Sequence, residues 1–222
     1  MTGRQHPLYN PNAGSYPLPT DKREIAAVLR SVDRCYDLHP YLAWRYGAYG
    51  EAFTRSDGGY LTTLSGHAQS HVTAQALWVG EMLACRGMPR LFVELHLDLL
   101  YEELMAEIPG RAPRYRKLQR AAEALRNARH RWIGADDGAA LAGVFDRTAG
   151  GAMPNAGILI VAAVCDEAWG IGKAVPSLMS WLADPGRFSR QWCDAATDTV
   201  RQARALTGTA PGTPPVPGAV GP

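Results

Sequence analysis

From Met88 to Ile108 the chain places apolar and acidic residues at a helical period, with proline at both ends, Pro89 and Pro109. At 100° per residue, Phe92, Leu95, Leu99 and Ala106 share one stripe. Val93, Leu97, Leu100, Leu104 and Ile108 form a second stripe. Two acidic seams separate them: Glu94, Asp98 and Glu102 on one side, and Glu103 and Glu107 with His96 on the other. A helix that is apolar on two sides packs between neighbours. The pattern predicts an all-α fold, a single globular bundle of about seven to eight helices around the buried stretch Met88–Ile108.

The rest of the chain reads as the shell around that helix. Thr20 is a candidate N-cap, with Asp21 and Glu24 in the first turn and Ile25, Ala26, Val28, Leu29 and Val32 at helical spacing. Pro40 opens a second helix into an aromatic segment of Tyr41, Trp44, Tyr46, Tyr49 and Phe53, where Gly47 and Gly50 weaken regular helix. Ser56-Asp57-Gly58-Gly59 reads as a turn or a helix start. A third helix begins near His67 or Ser70, runs to Arg86 and stops at Gly87. Pro113 opens a basic helix that reaches Ile133, Gly134 to Gly138 is a loop, and Ala139–Thr148, Val175–Leu182 and Phe188–Leu206 complete the set.

Gly157 to Asp166 is continuously apolar and fits either a buried helix or a central parallel strand. Helix is favoured, because no other segment supplies a sister strand. The Pro/Gly pattern divides the chain into an extended or disordered arm (1–19), an all-helical domain (20–208) and a disordered tail (209–222).

Composition narrows the chemistry. A formal charge of +2, from 23 basic and 21 acidic residues, supplies no general field for nucleic acid or anionic lipid. The nearest basic patch is Arg111 to Arg131, opposed only by Glu123; it spreads around its helix as a solvated surface, with a local anion or nucleic-acid contact as the alternative. The longest apolar run, Ile158 to Cys165, is far below the roughly 18 residues needed to span a bilayer, so no membrane partner is expected. The four cysteines are scattered without a C-x-x-C, and no apolar leader opens the chain. A cytoplasmic protein with reduced thiols is the expectation.

Three side-chain groups carry candidate chemistry. His67 and His71, four apart, would share a helix face as a metal site needs, but they require a third ligand, for which His96 is the candidate. His96 with Glu103 and Glu107 reads either as metal ligands or as a polar seam toward solvent or the basic helix. The stripe His71, Gln75, Trp78, Met82 and Cys85 reads as packed core, with a haem or other tetrapyrrole pocket as the alternative. Asp166 and Glu167 are expected to cap the apolar segment rather than act as an acid/base pair. No serine elbow or phosphate loop is complete.

The resulting expectation is a non-catalytic cytoplasmic protein that binds a small ligand or a protein partner in a sensing, regulatory or assembly role. Trp44, Tyr46, Tyr60 and Trp78 are its candidate pocket residues. The alternative is a haem- or transition-metal-binding sensor or enzyme using His67, His71 and His96. Self-association through an exposed aromatic or leucine-rich face stays open.

Overall fold

The acidic-apolar stretch is helical from Leu91 to Glu107, and its two stripes enter two different hydrophobic clusters. The computed structural model describes residues 6–208. Among the described residues the backbone forms nine α-helices and no strand. These are α1 (Lys22–Leu38), α2 (Pro40–Leu64), α3 (Gln69–Ala84), α4 (Leu91–Glu107), α5 (Ala112–His130), α6 (Ala135–Thr148), α7 (Ala156–Ala168), α8 (Ala174–Leu182) and α9 (Arg190–Thr207). A single 3₁₀ turn, Pro109–Arg111, links α4 to α5. The expected tail, residues 209–222, and residues 1–5 of the expected arm lie outside the described residues.

α4 packs chiefly between α1 and α5, with α2 and α3 at its flanks. Val93, Leu97, Leu100 and Leu104 join Val28, Leu61, Leu64, Val72, Leu118 and Leu125 in one cluster. Phe92 and Leu99 face the other way, into a cluster built on α7. Ala106, assigned to that stripe, is exposed, because the α7 cluster meets only the first half of α4. α7 is the ambiguous apolar run; it is helical, buried from Ala156 to Asp166 except Ile158, and surrounded by α6, α8 and α9.

Several boundaries differ from expectation for identifiable reasons. The nine helices slightly exceed the expected seven to eight, and the aromatic segment is helical on both sides of Gly47, whose φ of 55° and ψ of −156° kink α2 without dividing it in the count. Asp21, not Thr20, caps α1, its carboxylate accepting from the Arg23 backbone N–H at 3.0 Å. The predicted turn at Ser56–Gly59 lies inside α2, where the glycines serve close approach: a Cβ on Gly58 would meet the His96 ring at 3.1 Å. One on Gly59 would meet Leu18 at 2.8 Å and Leu8 at 3.1 Å. The described part of the arm therefore packs on α2, with Leu8 buried. The expected loop at Gly134–Gly138 is largely the first turn of α6, with Asp136 and Asp137 at its positive end.

Candidate functional site

The two acidic seams of α4 are neutralised from opposite sides. Glu103 accepts from Arg30 Nε (2.7 Å) and Arg34 Nη1 (2.8 Å), both on α1. Glu107 accepts from Arg30 (2.6 Å), and Glu102, expected in the seam of Glu94 and Asp98, instead accepts from Arg34 (2.8 Å) on the α1 side. The other seam meets the basic helix α5: Glu94 accepts from Arg126 Nε (2.9 Å) and Arg129 Nη2 (3.0 Å), and Asp98 accepts from Arg126. Glu103 and Glu107 thus face α1 rather than solvent or α5. Much of the basic patch is internal wiring; Arg111 and Arg114 are likewise drawn to the buried Glu24.

His96 is separated from those glutamates by burial. It points into the interior beneath Gly58, and burial drops its imidazole to about 4. Its Nε2 lies 3.4 Å from the Ser31 hydroxyl, a serine–histidine pair that no linear motif announces. This pair is not arranged as a nucleophile and base. Ser31 donates to the Val28 carbonyl at 2.9 Å and is fully buried, so neither a free hydroxyl nor a substrate path is present.

Arg90, at the start of α4, and Asp166, on α7, form a second interior polar centre. The Arg90 backbone N–H and Nε donate to the two Asp166 oxygens at 2.8 and 2.7 Å, and both residues are buried. Burial pushes the Asp166 carboxyl up, and the guanidinium opposes it. Trp169 stacks on the guanidinium at 4.7 Å. Glu167 turns outward to Arg204 at 2.7 Å, so the two acids meet different arginines and form no acid/base pair. The sequence missed Arg90 as a partner; the only linear signal was an acid, Asp166, ending an apolar run.

The predicted ligand residues do not assemble. Trp44 and Trp78 are 55% and 52% exposed. Tyr46 donates to the Arg86 carbonyl (3.0 Å), and Tyr60 donates to Gln75 (3.1 Å) and packs on Tyr16. Among the described residues no ring contact joins any two of the four. Neither of two surface clefts uses them. One, of about 550 Å³, lies between α6 and α9 and is lined by Val144, Thr148, Arg190, Asp194 and Asp198. A smaller one, of about 180 Å³, lies between Tyr9 and Ala48, Ala52 and Arg55 of α2.

The stripe expected as core, His71, Gln75, Trp78, Met82 and Cys85, is the outer side of α3. His71, Trp78 and Cys85 are exposed, while Gln75 and Met82 are half-buried. α3 packs inward through Val72, Ala76, Val79, Gly80 and Ala84, with Leu77 and Leu83 half-buried against the same cluster as Val72. At Gly80 the Arg90 stem fills the space a Cβ would take, 3.0 Å away.

Of the three predicted metal-ligating histidines, the structure brings two together. The His67 and His71 rings lie 5.3 Å apart at the surface, while His96 stays in the interior. Among the described residues no three His, Cys, Asp or Glu side chains converge on a metal position. None of the helices there is long and apolar enough to cross a membrane. No protein-family model, no curated protein sequence and no solved structure matches this chain.

Proposed function

We propose that this chain is a non-catalytic binding protein of the cytoplasm that docks a protein partner through outward aromatic side chains, in a regulatory or assembly role. The observation that carries this reading is the placement of Trp44 and Tyr49 on α2 and of Trp78 on α3, each more than half exposed. Rings of this size are enriched at protein interfaces, where they supply large contact area with few rotatable bonds. They carry no ionic charge, so the matching partner surface is apolar or aromatic. The interior polar groups favour a binding role over catalysis: Asp166 is paired and His96 is sealed beneath Gly58. The four free thiols are compatible with a reducing compartment.

A photo-crosslinking residue at position 49 of the full chain, followed by reconstitution of the complex from two purified proteins, tests this. Trp44→Ala and Tyr49→Ala are expected to weaken that complex at least about tenfold each, the loss typical of a ring anchor. A complex indifferent to both substitutions, or turnover of a substrate by the purified chain, refutes the reading.

A further inference from the structure

We propose that His67 and His71 are half of a tetrahedral divalent-metal site whose other two ligands are the same histidines of a second copy of this chain. The geometry comes first. Two imidazole nitrogens held about 2.0–2.1 Å from one tetrahedral zinc ion set their ring centres about 5 Å apart. The observed separation is 5.3 Å. Both side chains are exposed, and among the described residues neither ring is engaged in a hydrogen bond. The backbone beneath them is held. The His67 N–H donates to the Leu64 carbonyl at 2.9 Å, and the His67 carbonyl accepts from Lys117 Nζ at 2.6 Å. His71 sits on the first turns of α3, one step after Gln69 and Ser70.

The second copy follows from what one chain lacks. A structural zinc site takes four protein ligands, and no third ligand stands beside this pair among the described residues. A two-fold axis beside the pair supplies the missing two. The adjoining surface permits that approach. From Gln69 to Gly80, α3 carries no charged side chain, and Ala74 and Trp78 face outward. Its main helical neighbours are α5 and α4, and α5 reaches the pair only through Lys117 at the His67 carbonyl. A two-fold contact lays a patch on itself, so a single-sign charged face would repel; α3 brings no charge there, and the Lys117 ammonium beside the pair is tied to the His67 carbonyl.

The test uses the full chain with Cys85→Ser, which removes an exposed thiol able to bind the same ions, after chelator treatment. Zinc is titrated calorimetrically while the mass is followed by sedimentation equilibrium. One zinc per two chains and a doubled mass, reversed by chelator, are expected, and His67→Ala or His71→Ala abolishes both effects. Cobalt(II) in place of zinc should give the strong visible absorption of a tetrahedral site. No saturable binding, one metal per chain at unchanged mass, or binding indifferent to both histidine substitutions overturns the proposal. Such a failure leaves the docking reading standing, because that is scored at Trp44 and Tyr49.

Discussion

α4 and α7 are both central helices, but they are buried by different means. α7 is enclosed because nearly every side chain from Ala156 to Cys165 is apolar, and α6, α8 and α9 need only match its shape. α4 is enclosed although Glu94, Asp98, Glu102, Glu103 and Glu107 lie along it. There the neighbours must match charge as well as shape, and α1 and α5 bring Arg30, Arg34, Arg126 and Arg129 to the right rows. Apolar burial is non-directional and tolerates rotation of a helix about its axis. An ionic seam penalises rotation, because a displaced arginine leaves a carboxylate unpaired. We therefore expect α4 to fix the register of its half of the molecule and α7 to supply more apolar driving force per residue.

The sharpest break of this contrast lies where the two helices meet. Asp166→Ala leaves Arg90 buried without its carboxylate and should lower unfolding stability by about 3–5 kcal/mol in urea titrations. The double change Asp166→Leu with Arg90→Met removes both charges and should recover most of that loss. If the single variant costs less than 1 kcal/mol or so, the pair is not a tie between α4 and α7.

Acid acts next, through the buried titratable groups. Burial holds His96 and His39 near 4, below the ordinary imidazole value of 6.5. Between those values the unfolded chain takes up protons that the folded chain refuses, so stability falls as pH drops from about 6.5 toward 4, by about 3 kcal/mol per fully shifted histidine. Asp57, pushed up to about 6 by burial, works in the opposite sense: its protonation favours the fold as pH falls through that range. Asp166, also pushed up by burial, acts in the same sense as Asp57, so the imidazole share is read by difference: across this window the melting temperature of His96→Gln should decline less toward acid than that of the parent chain.

On α7 the test is steric. A Cβ at Gly157 would lie 2.6 Å from the Ala142 carbonyl oxygen and 2.8 Å from the Ala142 Cα, which are backbone atoms of α6. Gly157→Ala should force the helices apart and lower stability by about 1–3 kcal/mol, despite the better helix propensity of alanine. A stabilised variant would show that α6 and α7 are not in register. The smallest effect belongs to the outer seam. Arg30→Gln or Arg34→Gln breaks half-exposed pairs and should cost about 0.2–1 kcal/mol, shrinking further in high salt.

What could be read along the chain followed from local physics. The two apolar stripes of α4 pointed to two sets of neighbours, and both sets are present. The Gly157–Asp166 run was assigned to helix for lack of sister strands, and it is α7. The candidate sites were less legible, because size was used as a guide to burial. On α3 the large residues Trp78 and Met82 resemble core, yet the helix packs through Val72, Ala76 and Gly80. Likewise Gly58 and Gly59 resemble a turn but permit close packing inside α2. A glycine's role depends on what stands opposite it, and that is not written nearby.

The sequence by itself determined the helical class, the burial of the middle stretch and the presence of two acidic rows needing counter-charges, because helical period and charge are properties of short segments. Only the tertiary structure decided which arginine answers which acid, that His96 is sealed away from His67 and His71, and which face of α3 stays outside. Those outcomes depend on contacts between residues distant in the chain, such as Arg30 with Glu103 and Arg90 with Asp166, which form only when whole helices take up their mutual rotation.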